Sequence, residues 1–317
     1  MSKVSMENRY KYYYEQLDIR LKEAYDRIHS GLIDRNKYIY LNKNYNFCEI
    51  DNIISKIILD DPMIYDISHR SIKTNDGIIE IKIKYMFDND KKTILDDQIV
   101  YKINEIYYSD IFNCTDDFSI EKSVHDWIIK NSVWHKEQSN DRIEESEYHS
   151  ILGTLLYGRG VCSSIAHTTC LLLNSYGVDC ASITGNNHQW NIVKLDDVWY
   201  HLDVTYDFNN NYQYFNIDNK TCFLDHECEQ NVNCPSMAMN YYVKNRLIAS
   251  NKYELDRAII KHIDEDSFMV KILDLNMSDV RNIIMQLRDK YFDLKKYRYE
   301  YDEIQKMLIL TRRGYTE

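Results

Sequence analysis

Proline and glycine are scarce in this chain, with 2 Pro and 8 Gly among 317 residues. That scarcity excludes proline-rich and Gly/Ser-rich linkers, so composition marks no domain boundary. No Rossmann fingerprint, phosphate-binding glycine loop or H-E-x-x-H motif occurs, which removes the common nucleotide and zinc-protease signatures. Positive charge is also in short supply: 39 Lys and Arg face 50 Asp and Glu, for a net charge of -11. A surface of that sign repels nucleic acid and anionic membranes, so neither is expected as a partner. Apolar runs fall well short of the roughly 20 residues of a membrane span. The opening MSKVSMENRYKYYYEQL has no signal-peptide core, and a cytoplasmic location is the expectation. The 8 cysteines are then expected to be reduced, which permits a free reactive thiol.

What is present suits a folded α+β protein, with 44% hydrophobic and 28% charged residues. Residues 6–31 carry Tyr13, Leu17, Leu21, Ala24, Tyr25 and Ile28 at helical spacing, with Gly31 as a plausible stop. Tyr38 to Leu41 predicts a strand, Ile50 to Leu59 a helix, and Met63 to Ile67 a second strand. The turn Asn75-Asp76-Gly77 leads into an alternating strand from Ile78 to Phe87. Residues 119–133 have helical period, and His135 to Glu147 is polar. Beyond a central block ending near Lys244, residues 253–311 read helix, strand, helix, strand, strand. The expected organisation is an N-terminal α/β region (1–117), a core (118–246) and a C-terminal α/β region (247–317).

In the central block, Gly158-Arg159-Gly160 permits a tight turn, and Val161, Ile165, Ala166, Thr169, Leu172 and Leu173 give a helix that Gly177 closes. Cys162 falls in its first turn, where unsatisfied N–H groups and the positive dipole end lower a thiol's pKa and can steady an oxyanion. A cysteine there is equally a small apolar residue in a helix, so a partner base has to decide. HQWNIVKLDDVWYHLDVTYD, residues 188–207, reads as a hairpin turning at Asp196-Asp197. One face carries Val193, Leu195, Val198, Tyr200, Leu202 and Val204, and the other His188, Trp190, His201, Asp203 and Thr205. In that register His188 and Asp203 are diagonal neighbours within side-chain reach. A carboxylate holding one imidazole nitrogen while the other faces a thiol is the arrangement of nucleophilic cysteine catalysis.

The run from Tyr148 to Asp207, with HDWIIKN at 125–131, YQYFNID at 212–218, DHE at 225–227 and NYYVKN at 240–245, resembles the transglutaminase-like superfamily. The resemblance covers roughly residues 119–245. It implies a papain-like core in which a helix bearing the cysteine packs on an antiparallel sheet bearing His and Asp. By it, Cys162 is the nucleophile, His188 the base and Asp203 the orienting acid, with no cofactor and no metal. The implied partners are an acyl donor, either a peptide or a carrier-bound thioester, and an amine or water as acceptor. The family usually places an acidic residue and glycine after the cysteine, where this chain has Ser163 and Ser164. His-Ala-Trp-Asn is here His188-Gln189-Trp190-Asn191. Ser163, Ser164, Trp190 and His149 are the candidate substrate-binding residues. Cys222, His226, Cys228 and Cys234 are zinc-ligand types, but they lack a C-x-x-C pair. The superfamily contains peptidases, crosslinking enzymes and amide synthases. Intracellular acyl transfer to an amine is the expectation, with hydrolysis or a silent binding module as alternatives.

Overall fold

A computed structural model describes residues 10–42, 44–75, 77–135, 145–210 and 212–313. Residues 6–9 of the first expected helix and most of the polar segment 135–147 lie outside these. The chain is α+β, with three antiparallel-dominated sheets and helices packed against them.

The N-terminal apolar cluster is built by the helices Ile19–Ile33 and Phe47–Asp60 over strands β1 (Tyr38–Asn42), β2 (Ile67–Asn75) and β3 (Ile78–Tyr85), in the order β1-β3-β2. Three expectations change here. The helix expected over 6–31 is broken between Glu15 and Ile19, where Asp18 caps a new start, into Tyr12–Glu15 and Ile19–Ile33, and the second of these runs past Gly31. Gly31 is instead a close-approach residue, because a Cβ there would lie 2.8 Å from Ile39. The strand expected at Met63 to Ile67 begins only at Ile67; Asp61 Oδ1 accepts the Met63 N–H and turns the chain after Pro62.

The sequence reading left out the helix Asn89–Ile106 altogether. It contributes Leu95, Ile99, Ile103 and Ile106 to the central cluster, beside Val124 and Ile128 of the helix Asp117–Asn131. That second helix starts on a reciprocal cap between Asp116 and Ser119, two residues before the expected start.

The short parallel strands β4 (Val133–Trp134) and β5 (Arg159–Gly160) bring the chain to the helix Cys162–Ser175. Gly158 has φ +64 and permits the turn. At Gly160 a Cβ would lie 2.4 Å from Thr154 Oγ1 and 2.6 Å from Ser164 Oγ. Only glycine lets the loop press this closely on the helix.

The helix packs on an antiparallel sheet of β6 (Cys180–Gly185), β7 (His188–Leu195), β8 (Val198–Leu202) and β9 (Phe215–Ile217), in chain order. Asp196 and Asp197 both have positive φ, and Leu195 pairs with Val198, which is the expected two-residue turn. The strand does not continue to Thr205, however. β8 ends at Leu202, and Asp203 begins the short helix Val204–Asn210 by accepting the Tyr206 N–H on Oδ1. The face expected to be polar is also covered. Trp190 and Ile192 belong to a second apolar cluster with Tyr214, Cys222, Val232 and Cys234.

The C-terminal region follows the expected order. β10 (Ile248–Ala249), the helix Lys252–His262, β11 (Ser267–Ile272), the helix Met277–Lys290, β12 (Tyr297–Asp302) and β13 (Met307–Arg312) enclose their own apolar cluster. Among the described residues no helix is long and apolar enough to cross a membrane.

Candidate active site

Cys162 is the first residue of a 14-residue helix whose N-cap, Val161, supplies no side-chain cap. The N–H groups of that first turn are therefore left for the site. His188 opens β7 and Asp203 follows β8, so the hairpin brings their side chains together. His188 Nε2 lies 2.6 Å from Asp203 Oδ2. The Cys162 thiol is hydrogen bonded to His188 and also to the N–H groups of Gln189 and Ser163. With Nε2 committed to Asp203, Nδ1 is the nitrogen left for the sulfur.

The electrostatics follow from these contacts. Burial pushes the Cys162 thiol up, but the hydrogen bond and charge of His188, with the two N–H donors, bring it below the ordinary thiol value. Burial alone would lower the His188 imidazolium, yet Asp203 and Cys162 raise it to about 10. The pair thus favours thiolate and imidazolium. Burial opposes the Asp203 carboxylate, and the bonds from His188 and His226 offset it and hold the carboxyl below its ordinary value.

His226, noted in the sequence within DHE at 225–227 and as a zinc-ligand type, is a further member of this group. Its Nε2 lies 3.0 Å from Asp203 Oδ2, and its Nδ1 lies 2.7 Å from Asp225 Oδ1. Burial lowers its pKa, and the two carboxylates more than offset that and raise it. Asp225 in turn accepts from Tyr214 Oη and from Gln305 Nε2 of the C-terminal region. The segment carrying His226 is pinned to the end of β6. Glu229 N–H donates to Thr184 O, and Glu227 O lies where a Cβ on Gly185 would be, 1.5 Å away. The Trp190 ring stacks on His188 at 5.7 Å, and Tyr206 approaches from 4.9 Å.

The other sequence candidates fall in different places. Ser164 does not face a substrate groove. It is wholly buried, and its Oγ accepts the Thr154 N–H and donates to Ser150 O, so it locks the nucleophile helix to the preceding turn. Trp190 is only 1% exposed and gives its N–H to His201 Nδ1, so it supports His188 from behind and offers no surface to a substrate. His201 passes its Nε2–H to Asn219 Oδ1 and is lowered by burial to about 4, which makes it a neutral structural residue. Ser163 Oγ donates to His149 O at 3.0 Å and lies 3.4 Å from His149 Nδ1. His149 is exposed.

Cys222, Cys228 and Cys234 are all raised by burial and remain thiols. They join no metal-binding group with His226. Among the described residues the one set of three metal-type donors is His188, Asp203 and His226. Donors around a zinc ion at about 2.0–2.1 Å stand roughly 3.3 Å apart in a tetrahedron. The 2.6 and 3.0 Å contacts here are closer than that and are direct hydrogen bonds.

Residues 107–204, which include Cys162, His188 and Asp203, match the model of the transglutaminase-like superfamily. No curated protein matches the chain. Similar solved structures include a TGase, 14% identical with a TM-score of 0.31, covering 46% of each chain. A candidate cysteine protease from Cytophaga hutchinsonii is 14% identical with a TM-score of 0.28, over 43% of this chain and 61% of its own. The chain thus spans between about half and three fifths of the length of these two proteins. The stretch that holds Cys162, His188 and Asp203 is similar to the transglutaminase-like superfamily.

Proposed function

We propose that the protein is a cysteine-dependent acyltransferase that joins an acyl group, from a peptide or a carrier-bound thioester, to an amine. The observation that carries this reading is the contact chain from the Cys162 thiol at an uncapped helix start, through His188, to the buried Asp203. In it, Cys162 Sγ attacks the acyl carbon, and the developing oxyanion meets the N–H groups of the first helical turn. His188 gives its proton to the leaving group as the carbonyl re-forms, which leaves a thioester on Sγ. An amine then attacks the thioester, His188 takes the amine's proton, and the amide leaves as the thiolate is regenerated. Asp203 keeps the imidazole in the tautomer and orientation that both steps need.

Water attacking the same thioester gives hydrolysis, so the acceptor decides between transferase and peptidase. Partitioning measures it: amide and acid are counted at rising amine concentration with a fixed acyl ester. A rising amide yield that depends on Cys162 is expected. Acid alone at saturating amine would make the protein a hydrolase, and no Cys162-dependent product would make it a binding module. The reading also divides the chain into a catalytic core at 118–246 with flanking regions 1–117 and 247–317. The helix Asn89–Ile106 packs on the core although it precedes it.

A further inference from the structure

Residues of the N-terminal region and of the core line an open pocket of about 340 Å³ beside the nucleophile helix. Ile58, Pro62, Ile64, Ile67 and Met86 form its N-terminal wall, while His149 and His167 stand on the core side. Two of its walls connect to the reactive sulfur through a single residue. His149 is bonded to Ser163, and His167 Nε2 lies 3.2 Å from the Gln189 side-chain amide. Ser163 and Gln189 are the two residues whose backbone N–H groups hold the Cys162 sulfur.

The lining has a clear chemical character. Among the described residues no Asp, Glu, Lys or Arg lines it. His167 is lowered by burial to about 4 and is neutral at pH 7. A cavity of this size sits at the lower end of the roughly 300–1,000 Å³ of small-molecule sites, suited to one compact group. A charged group placed against Ile58, Pro62, Ile64, Ile67 and Met86 would give up hydration to apolar side chains.

We propose that this cavity is the acyl-group pocket of the site and that the donor carries a compact, uncharged apolar acyl group, branched aliphatic or aromatic. The proposal rests on the acyltransferase reading above and deepens it. It also gives the N-terminal region a role: residues from the end of the helix Phe47–Asp60 to just past β3 supply an apolar wall.

The test uses the full chain and p-nitrophenyl esters of acetate, isovalerate, phenylacetate and succinate. In each, the Sγ–C bond forms as the C–O bond breaks and p-nitrophenolate leaves. One buried methylene is worth about fourfold in kcat/KM. The isovaleryl and phenylacetyl esters should therefore exceed the acetyl ester by at least about tenfold, with no gain for the charged succinyl ester. Ile67→Trp and Met86→Trp fill the pocket from two different strand ends, both at half-buried positions. Each should bring the isovaleryl and phenylacetyl rates down to the acetyl rate measured in the same variant. An unchanged preference in both folded variants, no preference in the parent, or a preference for succinyl would overturn the pocket. Loss of all Cys162-dependent turnover would instead overturn the acyltransferase reading. Calorimetric binding of phenylacetamide to Cys162→Ala, lost on adding either tryptophan, reads the pocket without catalysis, and no binding there would also refute it.

Discussion

Removing the His188 imidazole should change the pH range over which Cys162 reacts. In His188→Asn no imidazole is left to take the thiol proton. Burial, the largest influence on the Cys162 thiol and one that raises it, is then opposed only by the N–H groups of Gln189 and Ser163. At pH 6 an ordinary thiol of pKa about 8.5 is roughly 0.3% thiolate. A sulfur ionised by His188 thus presents up to about 300 times more of the reactive form. A less basic thiolate attacks more slowly, with a Brønsted coefficient of about 0.4–0.5, which returns part of the gain. A net advantage of about tenfold over His188→Asn should remain at pH 6. The assay is iodoacetamide alkylation from pH 4 to 10, read by peptide mass spectrometry, with the exposed Cys48 as reference thiol in the same tube. The reasoning fails if Cys162 follows the same pH curve as Cys48, or if His188→Asn leaves its curve unmoved.

Other perturbations read the support of the site. His226→Leu removes a donor from Asp203 and should lower kcat about tenfold at unchanged KM, in line with roughly 1.5–3 kcal/mol for a hydrogen bond to a charged group. His226→Gln, which keeps a donor near the Nε2 position, should recover most of that loss, and equal losses in the two would argue against a positioning role. Gly160→Ala forces a Cβ against Thr154 and Ser164 and should cost about 1–3 kcal/mol, seen as a lower melting temperature; an unchanged melt contradicts the close packing. Glu121 is wholly buried, bonded to Asn216 Nδ2, and raised by burial to about 8. The folded state therefore keeps a proton that the unfolded chain loses near pH 4.3. Its contribution is present below that value and is lost as pH rises towards 8, by at most about 5 kcal/mol. Glu121→Gln should flatten this slope in urea denaturation, and a slope unchanged in the variant would show that Glu121 is not its source.

Much of the site was legible because its elements are regular. Val161 to Leu173 has clean helical spacing after a glycine-marked turn, so Cys162 could be placed in the first turn. The alternation through Val193, Leu195, Val198 and Tyr200 fixed the β7–β8 register around Asp196-Asp197. Where periodicity stops, so did the reading. Asp203 was placed on a strand because nothing in the sequence marks the change to helix there; its capping bond is visible only in three dimensions. His226 reaches Asp203 from an irregular segment whose position depends on the backbone apposition at Gly185, a long-range fit with no local signal. The helix Asn89–Ile106 buries one narrow stripe, while Ile94, Val100 and Tyr101 are exposed. Those exposed apolar residues blur the period that would have revealed it. Helical rotation turns Ser164 inward, two residues beyond Cys162, whereas Trp190 shares the face of His188 and is buried because Tyr214, Cys222, Val232 and Cys234 cover that face.

The most direct test of the central claim is the intact mass of the protein after a short incubation with p-nitrophenyl acetate. One acetyl group is predicted, on Cys162, released by neutral hydroxylamine as a thioester is, and missing from Cys162→Ala and much reduced in His188→Asn. Acetylation that persists in Cys162→Ala, or no covalent adduct on a folded parent protein, would contradict an acyl-enzyme on Cys162.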